Sequence, residues 1–208
     1  MNDDRYEALR KVAGEVSRET FSALRDFEAM FLQWSKRINL AASSTLPDIW
    51  HRHVLDSAQL LPLIGRPRHL VDFGSGGGFP AMVLAILMRD DGTRVSMVES
   101  NGKKASFLRL AASRFASGGA HVLCERADEV VAATPAPEVV TARAFAPLSA
   151  ILALAKPWTD RGTILHLHKG RDYHAEIAEA GDLSLYDLVE RPSAVDSDSV
   201  ILTLRRAA

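Results

Sequence analysis

Apolar residues at Phe21, Leu24, Phe27, Phe31, Trp34 and Ile38 recur at three- and four-residue steps, which gathers them on one face of a helix. Residues 1–68 read as helical throughout, with a second helix over about 46–63 that Pro47 opens and that Gly65 and Pro67 close. After Pro67 the period changes. The short apolar run over 69–73 ends in glycine and predicts a buried strand, and 81–88 predicts a helix. A strand over 94–99 and a helix over 103–115 follow, the helix with Phe107, Leu108, Leu110 and Ala111 inward. Further strands are expected at 120–124 and 138–141, a helix at 148–156 and a strand at 162–168. The runs at 183–190 and 199–204, separated by a short loop, predict an antiparallel hairpin at one sheet edge. Strands alternating with helices of this length mean an α/β core, a mostly parallel sheet covered on both faces. The expected organisation is therefore a helical N-terminal extension over 1–68 and a core domain over 69–208.

Composition narrows the class. At 47% hydrophobic and 25% charged, the 208 residues suit one globular domain with an appended helical segment, neither disordered nor fibrous. The longest apolar run, 81–88, falls well short of the roughly 18 residues a membrane span needs. The opening Met-Asn-Asp-Asp-Arg is polar and acidic, unlike a secretory signal. A lone cysteine, Cys124, excludes an internal disulfide framework and a cysteine-based zinc cluster. The expected location is the cytoplasm, with no membrane partner and a monomer as the default state. Lys plus Arg number 25 against 26 Asp plus Glu, a net charge of −1. A protein that coats nucleic acid by bulk electrostatics is clearly basic. Nucleic-acid binding here would need a local basic patch, so the balance favours a small-molecule enzyme or a site-restricted RNA enzyme.

The strongest signal is Val71-Asp72-Phe73-Gly74-Ser75-Gly76-Gly77-Gly78-Phe79-Pro80, directly after the first strand. A dinucleotide fingerprint places glycines first, third and sixth, and the sixth position here is Phe79. The pattern present is instead glycine at 74, 76 and 78 with Asp72 two positions ahead, where glycine lets backbone approach a ligand closely. A nicotinamide cofactor is the runner-up. Glu99 closes the second strand, where a carboxylate could accept both ribose hydroxyls, and Asp128 follows the third, where an adenine amino group could be bound.

The loop resembles motif I of class I S-adenosylmethionine methyltransferases, whose core is a Rossmann-like sheet. Other segments narrow the resemblance: Trp34-Ser-Lys-Arg-Ile-Asn-Leu, Arg52-His-Val-Leu-Asp-Ser, Glu99-Ser-Asn-Gly-Lys-Lys-Ala-Ser-Phe-Leu, Ala142-Arg-Ala-Phe-Ala-Pro-Leu and Lys169-Gly. In this order they resemble the bacterial glucose-inhibited division protein B family, the 16S rRNA (guanine-527 N7) methyltransferases, from about residue 30 onward. The resemblance implies cofactor contacts at Gly74, Phe79, Ala127, Asp128 and Arg143, and 16S rRNA in the small ribosomal subunit or its assembly intermediate as substrate. Phe79 stands where the family commonly has leucine, and Gly77 where it commonly has proline.

The inventory of side chains bears on the target atom. Methylation at pyrimidine carbon five uses a cysteine nucleophile, and Cys124 lies in an expected strand interior. Exocyclic amine methylation commonly uses an Asn/Asp-Pro-Pro-aromatic loop, and Thr141-Ala-Arg-Ala-Phe-Ala-Pro stands in its place. Guanine N7 carries a free lone pair, so positioning without a general base suffices. Arg143 is the leading candidate within the site, pairing with the cofactor carboxylate or with guanine O6, and Phe145 could stack on a flipped base. Candidate RNA contacts are Lys36, Arg37, Arg52, His53, Lys103, Lys104, Lys169 and Arg171. His51, His53 and Asp56, or His166 and His168, lack a partner cluster at ligand spacing, so no metal is expected. Three rivals remain beside the RNA enzyme: a small-molecule methyltransferase, a nicotinamide-dependent dehydrogenase and a non-catalytic RNA-binding module.

Overall fold

The computed structural model describes residues 2–116 and 118–207. Met1 and Ala208, the outer ends of the two expected segments, and Ser117 lie outside the described residues. Helices α1 (Asn2–Ala13) and α2 (Arg18–Ser35) come first, and the Ser17 side chain caps α2 by accepting from the Thr20 N–H at 3.1 Å. Phe21, Leu24, Phe27 and Phe31 form the buried face of α2, whereas Ile38 falls in the turn beyond it.

The single helix expected over 46–63 is broken. Its residues form a 3₁₀ turn (Ser43–Asp48), a π-helical turn (Trp50–Leu55), the short α3 (Asp56–Ala58) and α4 (Leu61–Ile64). Pro47 lacks the N–H that a continuing α-helix needs, and the π turn shifts the register so that Trp50, His53, Val54 and Leu55 all face inward.

The remainder alternates: β1 (His69–Phe73), α5 (Ala81–Leu87), β2 (Arg94–Val98), α6 (Gly102–Phe115), β3 (Ala120–Leu123), α7 (Ala127–Ala133), β4 (Val139–Arg143), α8 (Leu148–Thr159), β5 (Ile164–Lys169), α9 (Tyr173–Glu179), β6 (Tyr186–Pro192) and β7 (Val200–Arg206). The seven strands lie in the order β3-β2-β1-β4-β5-β7-β6. The first five are parallel, and β7 and β6 add on antiparallel, as the hairpin pattern predicts. Alternation along the strands divides the core. Leu70, Val95 and Met97 face α2, α5 and α6 in one cluster, and Val71, Phe73, Val140 and Leu167 face α8 and the hairpin in the other. The N-terminal helices belong to the first cluster, so they cover one face of the sheet.

Two local expectations differ, and two helices were not expected. Leu110 is 48% exposed, because the buried stripe of α6 runs through Phe107, Leu108, Ala111, Ala112 and Phe115 and 110 lies off it. Cys124 is exposed just beyond β3 rather than buried in a strand. Helices α7 and α9 lie outside the expected elements: each is seven residues long, α7 buries only Val130 and Val131, and α9 sets Tyr173 and Ile177 against the core without fully burying either.

The topology positions the site. After β1 the chain builds outward through β2 and β3, then returns to place β4 on the other side of β1. Such a switch point leaves a crevice outside the carboxyl ends of the two central strands. The segments opening there are the glycine loop after β1 and residues 144–147 after β4.

Candidate active site

The glycine loop is held from below. Ser75 N–H donates to the Val98 carbonyl at 2.9 Å and Gly78 N–H to the Ser75 carbonyl at 2.6 Å. Gly76 N–H donates to Glu99 Oε2 and Asn101 N–H to Glu99 Oε1, both at 2.8 Å. The Glu99 carboxylate therefore ties the loop to the start of α6 while bordering the cleft with one lone pair on each oxygen to spare. Gly74 has φ +65°, and a Cβ on it would lie 2.5 Å from the Phe145 ring. Gly77 needs its missing Cβ for another reason: Phe31 would be 2.5 Å away and the Leu40 carbonyl oxygen 2.9 Å away. Helix α2 and the turn after it thus press directly on the loop, and a proline at 77 would require them to give way. Gly78 sits against Met82 and Phe27 beneath the loop rather than along the cleft.

Phe79 packs its ring on Phe31, Phe27 and His53, at 5.0, 5.6 and 5.0 Å between centroids. His53 is accordingly not a surface cation. The π turn buries it, and burial together with Arg143 and Arg52 drives its pKa down to about 3.

Asp72 lies under the loop, buried, with Thr141 Oγ1 donating to its Oδ1 at 2.7 Å and no partner on Oδ2 among the described residues. Burial outweighs the hydrogen bonds from Ser75 and Thr141 and pushes its pKa up to about 7. The consequence for stability has a definite sign. Between the ordinary aspartate value of 3.8 and about 7 the folded chain keeps a proton that the unfolded chain has lost. Stability therefore falls as pH rises through that window, by up to about 4 kcal/mol at 1.36 kcal/mol per unit. Asp72→Asn is expected to remove this slope, read as the difference between variant and parent in urea melts at about pH 5 and about pH 8. A difference independent of pH would show that Asp72 is ionised throughout.

Above the loop, three concavities converge. One of 240 Å³ is bordered by Gly74, Gly76, Glu99, Lys104, Glu125 and Ala127. The second, of 310 Å³, is bordered by Leu40, Thr45, His53, Gly74, Gly77, Phe79, Lys104 and Arg143. The largest, of 620 Å³, opens on the far side of β4 between Arg52, Asp56, Arg143, Phe145, Lys169 and Asp196.

Arg143, the last residue of β4, stands between the second and third. Its Nη2 donates to the Arg52 carbonyl at 2.9 Å, and its Nε lies 3.4 Å from Asp56 Oδ2. Its Nη1 is buried without a partner among the described residues. Burial holds its pKa below the usual guanidinium range while Asp56 opposes that shift. Asp56, which sequence reasoning weighed only as a metal ligand, is the partner of Arg143 instead. It is buried, accepts from Gln59 Nε2 at 2.7 Å, and its carbonyl lies 2.9 Å from His168 Nε2. Arg52-His-Val-Leu-Asp-Ser contains it, yet only as a string, since its partners come from β4 and β5.

The remaining candidates divide. Lys104 and Ala127 border the cleft, and Phe145, 36% exposed, lies over Gly74 with its ring 5.7 Å from that of Phe73. Asp128 does not: it is exposed in the first turn of α7 and paired with Arg126 at 3.1 Å. Lys169 borders the largest concavity but is buried, donating to the Ala146 carbonyl at 2.8 Å and to Glu176 at 2.6 Å. Arg171 is exposed, paired with Asp198, and lines a separate groove beside β6. Lys36, Arg37, Arg52 and Lys103 are exposed, and only Arg52 of the four borders any of the three concavities.

Known structures share the architecture. The cofactor-bound MTB protein Rv0187 superposes with a TM-score of 0.67 at 16% identity over 100% of this chain and 98% of that one. The SAH-bound methyltransferase PaMTH1 of Podospora anserina gives 0.63 at 13% identity over 99% and 95%. At such identities the likeness shows the fold, that of class I methyltransferases. Among curated proteins, the ribosomal RNA small subunit methyltransferase G of Chelativorans sp. (strain BNC1) is 48% identical over 98% of this chain and 97% of its own length. Its namesake in Brucella canis is 46% identical over 97% and 95%. The family model described as GidB, rRNA small subunit methyltransferase G, matches residues 20–197. With that match over most of the chain and such identities along nearly its full length, the chain belongs to the GidB family of methyltransferases.

Proposed function

We propose that this chain, acting as a cytoplasmic monomer, transfers a methyl group from S-adenosylmethionine to a guanine N7 of 16S rRNA in the small ribosomal subunit or its assembly intermediate. The observation that carries the reading is the convergence of three concavities on residues 143–145, one beside Glu99, one beside Arg143 and one open to a base.

The residues present fit the cofactor. Glu99 keeps acceptor capacity on both carboxylate oxygens for ribose hydroxyls, with Ala127 bordering the same concavity. A Cβ on Gly76 would meet nothing closer than 3.7 Å, so the loop leaves open space above it. Arg143 Nη1, buried and unpartnered, suits the cofactor carboxylate or guanine O6. When bound, S-adenosylmethionine supplies an electrophilic methyl whose carbon–sulfur bond breaks as the N7 lone pair forms the new bond, with no proton moving.

The chain's own groups then have only to bind and orient. His53, with its pKa near 3, is neutral at physiological pH and presents no charge to repel a cationic sulfur. Phe145 offers an exposed ring at the mouth of the largest concavity for stacking on a base. Of the candidate RNA contacts, Lys36, Arg37, Arg52, Lys103 and Lys104 carry no carboxylate partner among the described residues and are free to meet phosphate. The relatives' shared name, which specifies ribosomal RNA, favours this reading over a small-molecule methyltransferase.

The test is transfer of labelled methyl to small subunits from cells lacking this protein, with the product mapped by N7-selective strand cleavage. Label at one guanine N7 is the expected result. Bound cofactor with no label on subunits or naked rRNA would transfer the assignment to a small-molecule substrate.

A further inference from the structure

Ala144 is the only non-glycine among the described residues with a positive φ, +50°. It is also the only described residue that borders all three concavities. A left-handed backbone is unfavourable for a residue with a Cβ and persists only where the surroundings over-determine it. Here they do. Before it, Arg143 is fastened to Asp56 and the Arg52 carbonyl. After it, Lys169 holds the Ala146 carbonyl at 2.8 Å, and Glu176 accepts from the Leu148 N–H at 2.8 Å. The kink turns consecutive side chains to different duties: Arg143 borders the second and largest concavities, Phe145 the first and largest.

We propose that Ala144 is the partition between the cofactor concavities and the base concavity, and that its small side chain keeps open the passage through which the target nitrogen meets the methyl donor. The inference rests on the functional reading above and goes beyond it by assigning access, rather than binding, to one residue. It is a specificity-determining role. Any side chain longer than alanine at this point stands in the passage between the two reactants, where the methyl must cross.

Backbone strain and side-chain bulk can be separated at this position. Glycine relaxes the left-handed backbone and leaves the passage open. Asparagine also tolerates that backbone but adds side-chain bulk. Each variant would be taken through thermal unfolding, calorimetric titration with S-adenosylhomocysteine, and single-turnover methyl transfer to small subunits lacking the mark. Ala144→Asn is expected to unfold near the parent temperature and bind the cofactor product within a fewfold, yet to transfer about a hundredfold more slowly, the scale of a misplacement of about 1 Å. Ala144→Gly is expected to lose only a fewfold in transfer. Wild-type transfer rates in Ala144→Asn would overturn the proposal, as would a loss of cofactor affinity matching the loss of transfer. So would a hundredfold loss in Ala144→Gly, which would make the strained backbone, not the passage, the essential feature. Failure of the parent chain itself to label any rRNA is a different result, and it removes the functional reading on which the partition depends.

Discussion

Arg143→Ala is expected to reduce methyl transfer by about a hundred- to a thousandfold, the loss typical of removing one pre-positioned donor from a water-excluded site. Two of the guanidinium nitrogens are engaged within the chain, Nη2 on the Arg52 carbonyl and Nε facing Asp56, and Nη1 is buried without a partner among the described residues, which we assign to the ligand. Truncation removes all three at once. It also leaves the Asp56 carboxylate buried without its cation, and breaking such a pair costs about 3 kcal/mol when other hydrogen bonds remain, as that from Gln59 does. From sequence alone a truncation that spares the fold would be expected, since nothing in the chain order announces the Asp56 contact. The two effects separate in Arg143→Lys. A lysine keeps a positive charge near Asp56 but not the planar fork, so stability should largely return while transfer does not. Recovery of transfer in Arg143→Lys, or full activity in a folded Arg143→Ala, would remove Arg143 from the site.

The elements that sequence periodicity announced are those that bury an apolar face. Strands β1, β2, β4 and β5 are buried along nearly their whole length because both sides of the sheet are covered, and α2 and α6 carry a stripe. What escaped detection presents only a short, partly buried face, as Tyr173 and Ile177 do in α9, or is governed by a local event such as the π turn at Trp50–Leu55. The same division holds in the site. The glycine loop and Glu99 are local in sequence and were readable, whereas the fates of His53, Lys169 and Arg171 are set by distant partners. A basic residue becomes an RNA contact only if no carboxylate or aromatic claims it first. Glu176 claims Lys169, Asp198 claims Arg171, and Phe79 covers His53. The role of Asp56 as the partner of Arg143 was not legible for the converse reason, since it comes from Arg143 and His168, which reach it across about ninety and about a hundred and ten residues.

Gly74→Ala addresses the cofactor side of the same junction. At φ +65° an alanine costs about 1 kcal/mol in backbone conformation, and its Cβ would lie 2.5 Å from Phe145 Cδ2. Retreat of the ring is limited, because it packs 5.7 Å from Phe73 and the chain is held at Arg143 and Ala146 on either side. Either the glycine loop or the Phe145 segment must shift, and both border the concavities to which we assign the cofactor. The expected result is a loss of S-adenosylhomocysteine affinity of about tenfold or more, equivalent to about 1.4 kcal/mol, with a matching fall in kcat/KM. Adding Phe145→Ala to the same chain removes the collision but not the backbone cost. Most of the affinity should therefore return while methyl transfer stays low, because the stacking ring is gone. Restoration of both by the double variant would show that Phe145 acts only as packing against Gly74. Restoration of neither would place the whole defect in the left-handed backbone at 74.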